Sequence, residues 1–427
     1  MKTIFRYVKA FVFLLILFFV FGVVSCLLPD TRIKRNIAES AQVIAPEGNY
    51  PHAFMNKDQC QLDNFTDALV MNQIYNIDRH RPVHSFMMMY RKAEPGWDQT
   101  GSLLRLVNGE QINTTSYARY WHGSTAVFRV FFMFMNFTNL KFVMFIISLL
   151  LFVYFSILTY KKLGLLYALL STMAFALVYG FMMQFSMQFF PILVITLTAA
   201  IMILLKAENT HVGLLFFVVG MVTAYFDLLS TPLMSLGVPL TIWLALQHGE
   251  KHSCMKPAGS VVGYSVVWGI GYALTFFSKW VLATLLTGEN IIADGMTTSI
   301  HRSGVGDYSR FDAISKNIDM ISFEALAVVV FVVVIFWAVA KIRHRSTVGC
   351  GIGGKLLAYL LLVSMPYVWY FLASNHSYEH WWFTFRTQYI AILSLLFLVA
   401  ELVGKHTEQA CSVSKSESCD DSVSPAQ

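Results

Sequence analysis

The chain has 427 residues, of which 56% are hydrophobic and 13% are charged. A soluble domain carries about 25% charged residues, so the composition excludes an ordinary soluble protein and indicates a membrane protein. The net charge of +6 does not indicate a nucleic-acid partner, because the basic residues lie beside apolar runs instead of forming one patch.

Apolar runs long enough to cross a bilayer recur about ten times along the chain, since a spanning helix needs about 17–25 residues. They lie at residues 10–28, 142–158, 165–185, 192–205, 212–229, 233–246, 261–286, 325–340, 356–373 and 389–403. Several runs are short and require tilt or snorkelling flanks. The pattern predicts an all-α, polytopic membrane protein with about ten transmembrane helices.

The basic residues predict the orientation of these helices. They collect at alternate ends of the runs, at Lys2, Arg6, Lys9, Lys161, Lys162, Lys251, Lys256, Lys341, Arg343, Arg345 and Lys355. The short loops on the other side, MQFSMQFF and FDLLSTP, contain neither Lys nor Arg. The positive-inside rule therefore predicts a multi-pass protein of the plasma (inner) membrane, with both termini in the cytoplasm.

The runs divide the chain into six parts. We expect a first transmembrane helix (1–28), a large extracytoplasmic loop (29–138), helices two to seven (139–286), a second extracytoplasmic loop (287–321), helices eight to ten (322–404) and a disordered cytoplasmic tail (405–427). In the first loop, LDNFTDALVMNQIYNI and SYARYWHGSTAVFRVFFMFM predict amphipathic helices at the outer surface. On this topology only Cys26 and Cys60 face outside together, and their spacing does not require a disulfide.

Three acidic residues on the outer side are candidates for chemistry. Asp63 and Asp67 are four residues apart and share one face of a predicted helix. A carboxylate there could act as a general base, or it could simply favour the helix N-terminus. Asp227, in YFDLLSTP, ends one apolar run just before a proline. It is either a site residue or the cap of a tight turn.

Basic side chains on the same side are candidates for binding phosphate. Arg119, His122 and Arg129 follow a helical spacing and form one stripe, provided that Gly123 does not break the helix. Guanidinium groups match phosphate oxygens, although attraction to anionic lipid headgroups is an alternative. Lys279 lies inside the seventh apolar run, and a charge within a membrane indicates function unless the side chain snorkels outwards.

The segment SNHSYEHWWFTFR, residues 374–386, combines several reactive side chains with an adjacent pair of tryptophans. His376, Glu379 and His380 match the H-x-x-E-H pattern of zinc peptidases. The next acidic residue, Glu401, lies at the cytoplasmic end of the last run, so a third ligand is missing on this side. We therefore predict no metal site, although a divalent metal is compatible with the sequence. We place these three residues and Arg386 on the wall of a substrate funnel.

The layout resembles the GT-C class of membrane glycosyltransferases. That class has one N-terminal span, a large outer loop with an acidic residue and then many spans with short loops; DNFTD stands at the position of its acidic catalytic element. YARYWHGSTAVFRVFF, YFDLLSTPLMSLGVPL and NHSYEHWWFTFRTQY are similar to segments of uncharacterised bacterial membrane proteins of surface-polysaccharide assembly. The resemblance covers most of residues 1–404.

The resemblance implies a polyprenyl-phosphate-linked sugar as donor and a cell-surface glycan or lipid as acceptor, with membrane lipids as the other partners. Asp63 or Asp67 would be the catalytic base. The second outer loop, with His301 and Arg302, would order over bound substrate. Cations would stabilise the charge that develops on the lipid phosphate. The candidates for this role are Arg119, Arg129, Lys279 and Arg386.

Two other classes of protein fit the same sequence. One is a transporter or flippase for a lipid-linked or anionic solute, in which Lys279 and Asp227 would mark a site at the membrane midplane. The other is a non-catalytic subunit of a polysaccharide assembly complex. A transporter distributes polar residues along a path through the membrane, whereas an enzyme collects them at one end. The unusual polar residues here collect at the outer end, which favours the enzyme.

Overall fold

The computed structural model describes residues 2–93, 96, 98–206, 211–247, 256–304, 306, 308–342 and 350–402. Across these ranges the protein is almost entirely helical, which confirms the all-α class. The strands described are β1 (Arg91–Lys92) and β2 (Thr114–Thr115), which pair antiparallel. The predicted basic positions Lys251, Arg343 and Arg345 and the tail 405–427 lie outside the described residues.

The helices follow in chain order. The first seven are α1 (Lys2–Cys26), α2 (Asp30–Glu47), α3 (Asn64–Tyr75), α4 (Pro82–Met88), α5 (Gln99–Val107), α6 (Gly123–Phe132) and α7 (Phe137–Leu163). The next six are α8 (Leu165–Leu177), α9 (Phe190–Lys206), α10 (Val212–Phe226), α11 (Met234–Leu246), α12 (Lys256–Thr287) and α13 (Ile291–Ser303). The remainder are α14 (Arg310–Ile318), α15 (Phe323–Ile342), α16 (Cys350–Leu372), α17 (Ser374–Glu379), α18 (Trp381–Thr384) and α19 (389–402).

Among the described residues, five helices are long and apolar enough to cross a membrane. They are Ile4–Cys26, Phe137–Leu163, Lys256–Thr287, Gly354–Leu372 and the continuous segment Trp381–Leu402. The remaining predicted runs also contain helices. Of these, α8 to α11 are shorter, with 13–17 residues, whereas α15 has 20 residues, of which Leu326–Ile335 is the described apolar stretch. Large apolar side chains such as Phe13 and Ile16 of α1 are exposed, as expected of helices that face lipid. These features indicate a membrane protein.

Glycines allow the central helices α10 and α12 to pack closely. A Cβ atom on Gly220 would lie 2.2 Å from the carbonyl oxygen of Trp268, and one on Gly271 would lie 2.3 Å from that of Phe217. Small residues at such crossings let two helix backbones approach each other, which is how helices associate where lipid is the solvent. The α10–α12 crossing is therefore a close backbone contact of the bundle.

The predicted first extracytoplasmic loop, which we call the first outer region, is a folded unit built from α2, α3, α5 and α6. Its core includes Ile37, Ala68, Leu103 and Phe132. We predicted α3 to be an amphipathic surface helix, and that is wrong: most of its 12 residues are buried, and they lie on all of its faces. Because α2, α5 and α6 cover it, α3 is the central helix of this unit.

The second outer region is also helical, since α13 and α14 occupy most of it. Asn317 of α14 ties this region to the start of the last span. Its side-chain amide donates to the carbonyl of Ser377 at 2.9 Å, and it accepts from the hydroxyl of Thr384 at 2.7 Å. α14 is thereby fixed against the segment 374–388.

Candidate functional site

A small, partly enclosed polar cavity of about 90 Å³ lies where the two outer regions meet the start of the last span. It unites three of the residues predicted from sequence, Asp63, His376 and His380. Its lining residues are Tyr50, Asp63, Phe65, Thr66, Leu69, Tyr117, Gln188, Leu228, Arg302, His376, His380, Trp382 and Phe383. We call this space the polar cavity.

Asp63 reaches the polar cavity from the N-terminus of α3, where it is the N-cap residue. Its Oδ1 accepts the backbone N–H of Thr66 at 3.1 Å, as N-cap carboxylates do. Its Oδ2 is buried and has no hydrogen-bond partner within the described part of the chain. Burial raises the pKa of Asp63 to about 6. The carboxylate is therefore poised to take up a proton near neutral pH.

Two histidines, one helical turn apart, face the cavity from α17 and its end. The ring centroids of His376 and His380 lie 4.8 Å apart. Burial lowers the pKa of His376 well below its usual value, with His380 and Arg302 adding to the effect. Burial also lowers the pKa of His380, to about 4. Both imidazoles are thus neutral at pH 7 and can donate and accept hydrogen bonds.

Unpartnered polar atoms mark the polar cavity as a ligand site. Neither ring nitrogen of His376 has a well-aligned hydrogen bond among the described residues, although the backbone of Leu229 lies close. The side-chain oxygen of Gln188 is likewise buried without a partner there. Together with Asp63 Oδ2, these atoms line one small space. Buried polar groups are nearly always satisfied in native proteins, by protein atoms, water or a ligand, so these atoms make the cavity a candidate binding site for a polar molecule.

Asp67 lies behind the wall of the polar cavity. Its Oδ1 accepts the N–H of Met187 at 2.8 Å and the hydroxyl of Ser186 at 3.1 Å. The Ser186 oxygen in turn accepts the N–H of Gln188 at 3.1 Å. Burial, with the neighbouring Asp63, raises the pKa of Asp67 well above its usual value. Asp67 therefore holds the backbone that carries Gln188, whereas Asp63 faces the cavity itself.

Arg302, in the last turn of α13, is shared between the polar cavity and an apolar groove of about 440 Å³. The groove runs between α12, α13 and α16. Its lining residues are Arg119, Tyr120, Leu229, Tyr272, Ala273, Phe276, Phe277, Trp280, Gly295, Thr298, Ser299, Arg302, Ser303, Trp369 and Ala373. Of the lining residues described, Arg302 is the one common to both spaces. A molecule with an apolar chain and a polar head could occupy both.

The guanidinium groups of Arg302 and Arg119 are held beside tyrosines at the polar end of this groove. Arg302 donates to the hydroxyl of Tyr120 and lies 5.5 Å from the centre of that ring. Arg119 lies 4.5 Å from the centre of the Tyr117 ring and 3.6 Å from a carboxylate oxygen of Asp294. Two cations are thereby fixed on the lining of the apolar groove, an arrangement suited to phosphate.

The predicted stripe of Arg119, His122 and Arg129 is wrong in geometry. His122 adopts a left-handed conformation with φ of 57°, and α6 begins only at Gly123. The glycine allows this turn to sit against Tyr225, whose ring atoms would lie 2.3 Å from an added Cβ. His122 hydrogen-bonds the Tyr117 carbonyl at 2.7 Å, and burial lowers its pKa to about 3.

Arg129 is fully buried and joins the first span to the outer unit. It donates to the carbonyls of Ser25 and Ile74 at 2.9 Å and of Leu28 at 3.2 Å, and it pairs with the carboxylate of Asp30. These contacts account for all of its charged end, so Arg129 does not reach the polar cavity.

Lys279 and Arg386 are also engaged by backbone carbonyls. Lys279 does not snorkel, because it is fully buried and donates to the carbonyls of Met87 at 2.8 Å and Phe86 at 3.3 Å. It fixes the C-terminal end of α4 on α12. Arg386 donates to the carbonyl of Gln59 at 2.8 Å. Both side chains lie outside the lining of the polar cavity.

Asp227 and Glu379 lie apart from the polar cavity. Asp227 accepts the backbone N–H of Ser230 at 3.1 Å and also its hydroxyl, which matches the turn-capping interpretation. Glu379 lines a separate, open outer cavity together with His301 and Tyr308. Among the described residues, no group of three His, Cys, Asp or Glu is placed to hold a metal ion. Cys26 and Cys60 are free, buried thiols.

Sequence reasoning missed Tyr50, Tyr117 and Gln188 as site residues and named Arg302 only as part of a loop. These residues come from four separate segments, so no spacing along the chain connects them. The signal that existed was a basic pair, His301–Arg302, in an otherwise small and polar outer loop.

The fold and site define a class: a helical protein with membrane-type helices, in which a small polar cavity and an apolar groove meet at one arginine. Compared with family models, curated proteins and solved structures, the chain gives no significant match. Its function therefore has to be inferred from the chemistry of the cavity and the groove.

Proposed function

We propose that the protein is an integral-membrane glycosyltransferase. It would move a sugar from a polyprenyl-phosphate donor to a cell-surface glycan or lipid acceptor on the extracytoplasmic face. In this proposal it is a multi-pass protein of the plasma membrane, with ten spans and both termini in the cytoplasm. The observation that carries the proposal is the sharing of Arg302 between the polar cavity and the apolar groove.

The groove suits the lipid part of such a donor. Tyr272, Phe276, Phe277 and Trp280 give it an apolar, aromatic lining, which would bury an isoprenoid chain by the hydrophobic effect. At its polar end, Arg302 and Arg119 would bind the phosphate. As the bond between the sugar C1 and the phosphate oxygen breaks, that oxygen keeps the electron pair, and the two guanidinium groups stabilise the added negative charge.

The polar cavity suits the sugar and the transfer step. His376, His380 and Gln188 are neutral hydrogen-bonding groups that match sugar hydroxyls. Asp63 would take the proton from the acceptor hydroxyl as its oxygen bonds to C1. A base with a pKa of about 6 is well matched to this task near neutral pH. The cavity in the structure is smaller than the roughly 300–1,000 Å³ of typical small-molecule sites, so it must widen to admit a sugar.

The decisive experiment measures sugar transfer in proteoliposomes supplied with a panel of radiolabelled polyprenyl-phosphate sugars and an envelope glycolipid extract as acceptor. Wild type would be compared with Asp63→Asn and Arg302→Met. Asp319→Asn is the matched control, because Asp319 is an exposed outer-region carboxylate away from the cavity. We expect transfer by wild type and the control and at least a hundredfold loss in the other two, since general bases contribute about 10²–10⁴-fold.

The other outcomes separate the competing functions. If no donor is consumed but labelled lipid crosses the bilayer, the protein is a transporter or flippase. If neither occurs with any donor, a non-catalytic role in an assembly complex is favoured. Equal transfer by wild type and Asp63→Asn would show that Asp63 is not the base.

The orientation is tested separately with a membrane-impermeant thiol reagent on intact cells. In a background without the native cysteines, Asp319→Cys should react from outside, whereas Lys162→Cys should react only after the membrane is permeabilised. The reverse pattern would place the polar cavity on the cytoplasmic side and contradict the proposal.

A further inference from the structure

Three aromatic residues form the outer edge of the polar cavity, and we call them the aromatic mouth: Tyr50, Phe65 and Trp382. The rings of Tyr50 and Phe65 are nearly parallel, with centroids 5.8 Å apart. Trp382 meets Tyr50 edge-on at 5.4 Å. Tyr50 is 43% exposed, whereas Asp63 behind it is 1% exposed. The cavity therefore runs from an exposed aromatic ring to a buried carboxylate.

The backbone holds Tyr50 in a fixed position relative to Asp63. Helix α2 ends at Gly48, whose φ of 77° turns the chain back towards α3. The N–H of Phe65 then donates to the Asn49 carbonyl at 3.0 Å, and the N–H of Leu62 donates to the Pro51 carbonyl at 2.8 Å. The segment that carries Tyr50 is clamped to the segment that carries Asp63, so the mouth is preorganised.

The chemistry of the mouth suits a saccharide. Aromatic side chains offer a large apolar face, and Tyr adds a polar end; a sugar ring likewise has apolar C–H faces and polar edges. The Tyr50 hydroxyl also lies close enough to Asp63 for that carboxylate, after burial, to help raise the tyrosine pKa. A ring lying on Tyr50 would present its hydroxyls towards Asp63.

We infer that the aromatic mouth binds the saccharide acceptor. The inference rests on the proposed glycosyl transfer and adds the direction from which the acceptor arrives. The donor lipid occupies the groove on the Arg302 side, and the acceptor enters past Tyr50. In the step itself, the acceptor oxygen bonds to the sugar C1, its proton goes to Asp63 Oδ2, and the phosphate leaves with the electron pair of the broken bond.

The test compares Tyr50→Ala and Tyr50→Phe in the proteoliposome assay, with KM measured separately for donor and acceptor. Tyr154→Ala is the matched control, because Tyr154 is similarly exposed at 45% but lies on α7, away from the cavity. We expect Tyr50→Ala to raise the acceptor KM at least tenfold and to leave the donor KM within twofold. Tyr50→Phe keeps the ring and should stay within threefold of wild type for both.

An unchanged acceptor KM in Tyr50→Ala, or an equal rise in both KM values, would overturn the inference while the transfer itself still supports the proposed function. A second readout needs no transfer: quenching of Trp382 fluorescence by cellotetraose, chitotetraose and maltotetraose, with Trp382→Phe as the blank. Saccharide binding that is lost in Tyr50→Ala, without transfer from any donor, would keep the saccharide site and reject the transferase. If the wild type neither transfers sugar nor binds any of the three, both proposals fail.

Discussion

Asp63 and Arg302 line the same polar cavity from two different outer regions of the chain. Asp63 caps the N-terminus of α3, and Arg302 occupies the last turn of α13. One supplies a carboxylate with an unpartnered oxygen, and the other supplies a cation that also faces the apolar groove. The burial of the Asp63 carboxylate in this space underlies the first two predictions.

The rate of transfer should depend on the ionisation of Asp63. Burial raises its pKa to about 6, and a general base works only when it is deprotonated. We therefore expect kcat/KM to fall tenfold per pH unit below about pH 6 and to level off above it. Measurement of kcat/KM from pH 4.5 to 8 checks this, provided that circular dichroism shows an intact fold throughout. A profile that is flat between pH 5 and 7 would contradict the assignment.

The same burial gives Asp63 an effect on stability with the opposite sign to that of a paired carboxylate. Because its pKa in the folded protein lies above the unfolded value, the charged form is disfavoured in the fold, and stability is lost as the pH rises through about 6. Asp63→Asn should therefore raise the melting temperature at pH 8, by an amount equivalent to about 1–3 kcal/mol. Asn also caps helices well. At pH 4 the gain should vanish; a gain of equal size at both pH values would rule out this cause.

The two aspartates of α3 should respond differently to the same substitution. Asp67 uses one oxygen to hold the backbone at Ser186–Met187, and the carbonyl oxygen of Asn can accept the same hydrogen bonds. Asp67→Asn should retain activity within tenfold of wild type, with the acidic limb of the pH profile unchanged. Asp67→Ala should lose more activity, because the segment carrying Gln188 is released. Loss in Asp67→Asn as large as that in Asp63→Asn would instead make Asp67 a direct participant.

Arg129 should matter for folding and not for chemistry. Arg129→Met removes the donor shared by Asp30, which keeps an ion pair with Lys34, and by three backbone carbonyls; a buried acceptor left without a donor costs about 1–3 kcal/mol. We expect lower yield and faster proteolysis of the first outer region, with unchanged activity per folded molecule. Arg35→Met, which removes an exposed arginine of α2, is the control. If Arg129→Met has a normal melting temperature but loses activity, Arg129 takes part in the site itself.

The helical class could be read from sequence because apolarity and length are properties of single segments. Each predicted apolar run contains a helix, including the short α8 and α11. The burial of α3 could not be read in this way, since it depends on α2, α5 and α6 folding around it. The predicted stripe containing His122 is wrong because His122, the residue before Gly123, adopts a left-handed conformation. That conformation accompanies close packing of Gly123 on Tyr225, and such a long-range contact cannot be read from the local sequence.

The site was found in part because some of its residues are unusual for their neighbourhood. Asp63 stands out as an acidic residue at the start of a predicted helix in the first outer loop, and His376 and His380 stand out as reactive groups just after an apolar run. Gln188 has no such signal and Arg302 has only the basic pair that it forms with His301, because what distinguishes both residues is the space that they share with Asp63. Lys279 and Arg386 stood out equally, yet backbone carbonyls occupy them. An unusual charge in or beside an apolar run therefore indicates that the side chain has polar partners. For Lys279 and Arg386, backbone carbonyls of the protein are those partners.

A buried ion pair at the other end of the last two spans should stabilise the bundle without affecting transfer. The ammonium of Lys355 lies 2.9 Å from a carboxylate oxygen of Glu401, which also accepts the hydroxyl of Tyr359 at 2.8 Å. Glu401→Gln should destabilise the fold by about 3–5 kcal/mol, because it leaves a buried ammonium without its counter-charge.

The double variant Lys355→Met with Glu401→Leu should recover most of that loss, since an apolar pair needs no desolvation of charge. Thermal unfolding of Lys355→Met, of Glu401→Leu and of the double variant, all in the same detergent, measures the coupling between the two residues. Because both residues lie outside the lining of the polar cavity and the groove, the double variant should keep the wild-type kcat/KM. If the double variant is less stable than either single variant, the Lys355–Glu401 pair stabilises the protein by more than the mutual neutralisation of two buried charges.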